Sequence, residues 1–486
     1  KKIHFPEGSM EQAFEQYNSA KKRLIFEEVY LYKHELLENL SKYEGKKSFN
    51  ISIEEGHTEN FIKKLPFKLT DGQRKALGKV FDSLKSNQPS RVLIQGDVGC
   101  GKTIVAVIAC LNVVRDRHQC LVLVPTEVLC NQHFKTFSNL LGDLGKVAKL
   151  SGKHTRSEKL DIKHALKTGT ISILIATHAL LYNDYEFKSL ALVVIDEQHK
   201  FGVKQRERIT STYSNQPHLI YMSATPIPRT LALVLYENMN YLKILDKPDS
   251  QKQTKTFVYS DNRRQEIYDH VQEHLDNGMQ AYWVCTRVED TLDDSLQSVK
   301  VFSDIIKNQF PNYKTAVLHG KLPADEKIKI INDFQSGDIK ILVATSVIEV
   351  GVDCKNANCL VVENSEMFGI SQLHQLRGRV GRGIDQGYCY FIHTDSVRDE
   401  TIEKLKYLEL NTSGFDVAEH DLKMRGSGTY LGTKQSGLPD NYRVTDINDI
   451  MNNIHQIKKF TYNLPSARII EFKKRWNIKK IDEVQL

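Results

Sequence analysis

The chain has 486 residues, 40% hydrophobic and 26% charged, with 67 Lys plus Arg against 60 Asp plus Glu for a net charge of +7. This balance is that of a globular protein and excludes wholesale disorder and fibrous repeats; the length predicts about three domains. No apolar run approaches the ~18 residues that span a bilayer, and the mild basic excess is compatible with a polyanionic partner.

The opening residues, KKIHFPEGSM, carry neither an apolar leader nor an initiator Met, so the chain is expected to be a piece of a longer protein. Residues 11–43 read as a basic helix containing Lys21, Lys22 and Arg23. From Leu65 to about Asp246, short apolar runs alternate with helical stretches: RVLIQ (91–95), CLVLVP (120–125), ISILIAT (171–177), ALVVID (191–196) and HLIYM (218–222). Runs apolar at every position suit strands buried on both faces of a parallel sheet, with helices as crossovers. The polar stretch DKPDSQKQTK (246–255) interrupts the pattern, which resumes with TFVYS (256–260), QAYWVC (280–285), KTAVLH (314–319), IKILVAT (339–345), CLVVEN (359–364) and GYCYFIH (387–393). A helix near 398–411, a glycine-punctuated stretch and a polar helical tail follow. Two tandem α/β domains are predicted, over 61–248 and 249–395, preceded by a helical linker (1–60) and followed by a helical segment (396–486). The eight cysteines, at 100, 110, 120, 130, 285, 354, 359 and 389, form no C-x-x-C pair, which points to reduced core thiols in the cytoplasm.

QGDVGCGKT (95–103) holds the strongest chemical signal. Gly96, Gly101, Lys102 and Thr103 fill the P-loop pattern, in which glycines turn backbone N–H groups onto phosphates. Lys102 would meet the β and γ charges, and Thr103 would offer its hydroxyl to Mg²⁺; Asp97, Val98, Gly99 and Cys100 complete the loop. About a hundred residues on, Asp196-Glu197 leave a buried strand, where adjacent carboxylates are costly unless a cation or a proton-transfer task holds them. Asp196 is expected to act on Mg²⁺ through water and Glu197 to accept a proton from the attacking water. In QLRGRVGRG (375–383), Arg377, Arg379 and Arg382 crowd one expected helix. That cluster is either a solvated face or a phosphate-binding patch that completes an ATP site from across a cleft.

These residues resemble the ordered motifs of superfamily 2 helicases, and more narrowly the RecG-type branched-DNA helicases. The nucleotide-side matches are LPFKLTDGQ (65–73), the P-loop, DEQH (196–199), SATPIPRT (223–230), IEVGVD (348–353) and QLHQLRGRVGRG (372–383). VPTEVLCNQH (124–133), ATHALL (176–181) and VLHGKL (317–322) match the DNA-side motifs, and IHFP (3–6) and RLIFEE (23–28) extend the likeness upstream. The resemblance implies two RecA-like domains, with Gln73 reading adenine, Gly351 and Asp353 near the ribose, and Gln375, Arg379 and Arg382 engaging the γ-phosphate. It places Thr126, Thr177 and Thr345 on DNA phosphates, although each threonine read alone is a strand-end cap. Residues 415–437 resemble the helical hairpin and loop that the family shares with the transcription-repair coupling factor, with Arg425 and Gln435 as coupling positions; read alone, those two are surface residues beside a Gly-rich turn. Ser427-Gly428-Thr429 stands where the family reads P-G-E, and VCTRVED (284–290) is a loose match.

The resemblance thus implies ATP and Mg²⁺ as cofactors, duplex and branched DNA as partner, and remodelling of stalled forks and Holliday junctions. It also implies a monomer near the nucleoid, a single-stranded-DNA-binding protein as companion, and no membrane. The family's N-terminal wedge domain is expected to be missing from this chain. A transcription-repair coupling translocase with the same motor is the alternative.

Overall fold

The computed structural model describes residues 9–41, 45–152, 154–177, 185–197, 213–224, 239–248, 252–285, 294–345, 354, 356–383, 385–425 and 471–472. Among these, two parallel sheets each form the centre of one lobe. The first contains β1 (Arg91–Gly96), β2 (Gln119–Val124), β3 (Val147–Leu150), β4 (Ile173–Thr177), β5 (Leu190–Asp196), β6 (His218–Ser223) and β7 (Asn240–Ile244). They lie in the order β3-β4-β2-β5-β6-β1-β7. The second contains β8 (Lys255–Ser260), β9 (Gln280–Val284), β10 (Thr315–Leu318), β11 (Ile341–Ala344), β12 (Ala357–Val362) and β13 (Tyr388–His393), ordered β10-β11-β9-β12-β13-β8.

Adding seven to each of the first six strand numbers of one sheet reproduces the other, so the lobes repeat one topology. Matching details accompany the repeat. The first residue of β2, Gln119, buries its amide and donates to Leu166 O and Ile171 O, at 3.0 and 2.8 Å. Gln280, the first residue of β9, donates in the same way to Phe334 O and Ile339 O, at 2.6 and 2.7 Å. Helices α6 (Arg156–Thr168) and α9 (Ala324–Ser336) both end on a left-handed glycine, Gly169 and Gly337, with φ of 81° and 88°. Glycine takes this conformation without the Cβ clash that other residues meet.

In both lobes, helices cover the two faces of the sheet. In the first, α3 (Asp71–Leu84), α4 (Lys102–Arg115) and α5 (Glu127–Leu141) bury Val80, Val105, Ile108 and Phe137 against Val122, Ile175 and Val194. Leu121, Leu174 and Val193 fill the opposite face. Alternate residues of β2, β4 and β5 thus enter different cores, which is why those strands are apolar at every position. Helix α4 is buried almost all round, consistent with its run of apolar residues. In the second lobe, Tyr282, Leu342 and Leu360 face one core and Trp283, Val343 and Val361 the other.

N-terminal to the lobes are α1 (Met10–Ser41) and α2 (Glu55–Lys63); Tyr30 and Leu31 of α1 pack on Phe472. The second lobe carries α7 (Arg264–Asp276), α8 (Asp294–Gln309), α9 and α10 (Ile370–Arg377), then α11 (Asp399–Leu410) and α12 (Gly414–Arg425). All eight cysteines are buried thiols, and no disulfide joins them. Among the described residues, no helix is long and apolar enough to cross a membrane.

Candidate nucleotide site between the lobes

The P-loop joins β1 to α4. Gly101 is the N-cap of α4 at φ 81°, and no side chain caps that helix. A Cβ on Gly101 would run into Gln73 Nε2, and one on Gly96 would come within 2.7 Å of Ile244 O. The loop is therefore built for glycine at both positions; the Ile104 N–H closes on Gly101 O at 3.2 Å, and the start of α4 is placed to meet an anion. Lys102 Nζ donates to Gly96 O at 2.6 Å and Asp97 O at 3.0 Å, inside the loop it would share with a phosphate. Thr103 is the second residue of the helix, half-buried beside Lys102.

Asp196 ends β5, separated from β1 by β6. In parallel α/β sheets ligands collect at the C-terminal strand ends, and the P-loop and Asp196 both lie there. Asp196 Oδ2 accepts from His133 Nε2 of α5 at 2.9 Å, and Oδ1 accepts from the Glu197 backbone N–H at 3.1 Å. Burial alone would raise the Asp196 carboxyl; the His133 bond and charge, the Lys102 charge and the Glu197 N–H together hold it below the usual range. Glu197 itself adopts φ 52°, a left-handed conformation that costs a non-glycine residue about 1–3 kcal/mol. An ammonium, a hydroxyl, uncapped helix N–H groups and an ionised carboxylate form a donor set that fits a nucleoside triphosphate with Mg²⁺. Among the described residues no group of three or more His, Cys, Asp or Glu side chains converges on a metal position, so a cation there would rest on Asp196, Thr103 and the phosphates.

The expected adenine reader, Gln73, is buried, and both ends of its amide are engaged within the protein. Its Oε1 accepts from Thr70 N at 2.9 Å in a capping box, and its Nε2 donates to Cys100 O at 2.8 Å. Gln73 therefore braces the P-loop from behind.

The second lobe supplies the opposite wall. The arginine cluster does not lie on one helix: α10 stops at Arg377, Arg379 follows in a turn and Arg382 lies beyond it in irregular backbone. Turn hydrogen bonds continue to Val380. Gly381 then has φ 69°, and a Cβ built on Gly387 would sit 2.9 Å from Gly381 Cα, so the two backbones approach closely there. The three arginines have different surroundings. Arg377 is buried and donates to Leu408 O, Asn411 O and Thr412 O at 2.6, 2.9 and 3.2 Å, closing the end of α11. Arg379 is also buried. Arg382 donates through Nε to Gly378 O at 3.0 Å and faces a cleft that Asp97, Val98, Lys247, Lys252 and Arg377 also line. Gln375 is half-buried on α10.

The lobes touch at this cleft: a Cβ on Gly378 would lie 2.8 Å from Val98 Cβ of the P-loop. Arg382 and two residues of the P-loop, Asp97 and Val98, therefore line one cavity. Thr126 is the N-cap of α5, accepting from Leu129 N at 3.3 Å, the capping alternative for that residue. Thr177 and Thr345 occupy equivalent positions at the ends of β4 and β11, and both are buried. Arg425 is the last residue of α12. Its side chain, with Gly351, Asp353 and Gln435, lies outside the described residues. His133 was missed as a site residue, because a lone histidine on a helix gives no signal that it faces a carboxylate 63 positions on.

Comparison with known proteins shows the family of the chain. Residues 70–234 match the DEAD/DEAH box helicase family and residues 262–383 the helicase conserved C-terminal domain. An ATP-dependent DNA helicase RecG of Aquifex aeolicus is 40% identical over 444 residues, covering 90% of this chain and 56% of the relative. That of Streptococcus pneumoniae serotype 4 is 35% identical over 98% of this chain and 70% of its own length. Several other relatives, like that of Aquifex, are matched over little more than half their length. A solved structure of RecG bound to a three-way DNA junction superposes with a TM-score of 0.77 at 35% identity, over 92% of this chain and 58% of the other. The DEAD-box helicase Mss116 shares the fold, with a TM-score of 0.57 at 15% identity. The chain belongs to the RecG family of ATP-dependent DNA helicases.

Proposed function

We propose that the chain is the motor of an ATP-driven double-stranded-DNA translocase that remodels stalled replication forks and branch-migrates Holliday junctions. The observation that carries this reading is the cleft that Arg382 of one lobe and Asp97 and Val98 of the P-loop in the other line together. A site split between lobes makes hydrolysis depend on closure, and closure against a bound duplex is a power stroke.

In this reading Lys102 and the first turn of α4 hold the β and γ phosphates, and Thr103 and Asp196 hold Mg²⁺. The metal would screen phosphate charge. Glu197 takes the proton of the attacking water, and Arg379 and Arg382 stabilise charge that develops on the transferred group. Gln375 orients that group from α10. Thr126, Thr177 and Thr345 are assigned to DNA phosphates; the last two are buried at the ends of their strands. DNA affinity should come from phosphates, fall steeply with salt and show little sequence preference. The RecG structure on a three-way junction supports branched DNA as the substrate class. A monomer near the bacterial nucleoid, with a single-stranded-DNA-binding protein as companion, is the setting we propose.

The test is steady-state ATP hydrolysis without DNA, with linear duplex and with a three-way fork, using Lys102→Ala as the blank. Stimulation by duplex and fork is expected. A rate that neither DNA raises, with nucleotide still bound, would refute the translocase reading.

A further inference from the structure

Asp97 is the second residue of the P-loop after Gly96, yet its carboxylate is turned towards the far end of the chain. Its Oδ2 accepts from the backbone N–H of Gly414 at 3.1 Å, across a sequence separation of 317 residues. Gly414 is buried and is the first residue of α12. The next residue, Phe415, lies under Lys243 of β7, with Nζ 4.4 Å from the ring centroid. Two groups of the first lobe therefore hold the first turn of α12.

The body of α12 belongs to the second lobe. Ser371 of α10 donates to Asp421 at 3.1 Å, and His420 stacks on Tyr407 of α11 with centroids 3.7 Å apart. One helix is thus gripped at its start by the nucleotide-binding lobe and along its length by the arginine-bearing lobe. His374 Nε2 also lies 3.8 Å from Asp97 Oδ2. Burial, with Arg377 and Lys247 nearby, pushes that imidazole well below its ordinary value, so it is neutral and makes no ion pair. The Gly414 N–H is the direct tie, and a carboxylate at a helix start is favoured by the helix dipole.

We propose that Asp97 is a positioning residue, linking the P-loop backbone to α12 so that the nucleotide site drives this helix directly as well as through the second lobe. The proposal rests on the translocase reading above. Its physical basis is that Lys102 Nζ bonds the carbonyl of Asp97 itself, at 3.0 Å. When a phosphate draws that ammonium away, the peptide of Asp97 loses a donor and reorients, and the side chain of the same residue carries the change to Gly414.

The experiment removes only the N–H. Gly414→Pro does so at the first position of a helix, where proline is tolerated, and Gly414→Ala keeps the N–H as control. In the full-length protein, ATP hydrolysis on duplex DNA and displacement of a triplex-forming oligonucleotide are measured together. The expected result is hydrolysis within about twofold of Gly414→Ala and displacement per ATP lowered at least about tenfold, the factor a lost charge-assisted hydrogen bond carries. Equal displacement per ATP in the two variants overturns the proposal. Hydrolysis by neither variant and none by the parent on duplex overturns the translocase reading, and the proposal with it. If Gly414→Pro does not fold, Lys243→Gln removes the second tie on the same turn. It is expected to lower displacement per ATP in the same direction, and an unchanged ratio overturns the proposal.

Discussion

His133 Nε2 lies 2.9 Å from Asp196 Oδ2, so the carboxylate expected to hold Mg²⁺ is oriented by a histidine from a different crossover. The pair is possible because β2, which leads into α5, is the hydrogen-bonded neighbour of β5. Partners behind a ligating group typically contribute 10- to 100-fold to metal affinity. His133→Ala is expected to raise the Mg²⁺ concentration for half-maximal ATP hydrolysis about tenfold, with His133→Gln in between. A Mg²⁺ titration at fixed ATP checks this, and an unchanged midpoint contradicts it.

The same carboxylate makes stability depend on acid. Its folded value lies below the ordinary one near 3.8, so its stabilising contribution is present above the unfolded value and lost as pH falls through the folded one. Asp196→Asn removes that dependence. The fall in melting temperature between neutral and about pH 3 should be smaller in the variant than in the parent. Parallel falls would contradict a lowered Asp196 carboxyl.

Closure of the cleft is predicted to be sensitive to one methyl group. Gly378→Ala places a Cβ 2.8 Å from Val98 Cβ, an atom fixed close to backbone. The variant should hold the lobes apart and lower DNA-stimulated hydrolysis about 10- to 100-fold with little loss of nucleotide binding. Val98→Gly should restore part of that loss in the double variant, whereas Val98→Ala, which keeps the clashing atom, should not. Additive losses would contradict a direct contact.

Arg377 and Arg382 are five residues apart and should fail differently. Arg377→Ala leaves three carbonyls at the end of α11 without their buried donor, a loss of about 2–3 kcal/mol. Arg382→Ala should leave the melting temperature nearly unchanged and lower hydrolysis about 10³-fold. Thermal melts paired with rates separate the two, and equal destabilisation would contradict the division.

The strands buried on both faces were legible as apolar runs, and each appears within two residues at either end. The two missed strands, β3 and β7, are the edges of the first sheet. Their polar residues, the half-buried Lys149 and the exposed Asn240, interrupt the apolar pattern. The arginine helix was drawn too long, since a left-handed Gly381 packed on Gly387 cannot be read from an Arg-rich run.

By itself the sequence determined the P-loop, the strand that precedes it, the Asp196-Glu197 pair and the order of the motifs, because these depend on neighbours a few residues apart: glycine sterics, apolar periodicity and helix starts. Only the tertiary structure decided that His133 meets Asp196, that Gln73 braces the loop, that Arg377 closes a helix and lines the cleft with Arg382, and that Asp97 reaches Gly414. Each of those pairings joins segments far apart in the chain, and none has a local energetic signature. They are set by strand order and by how the two lobes meet, which depend on the packing of the whole chain.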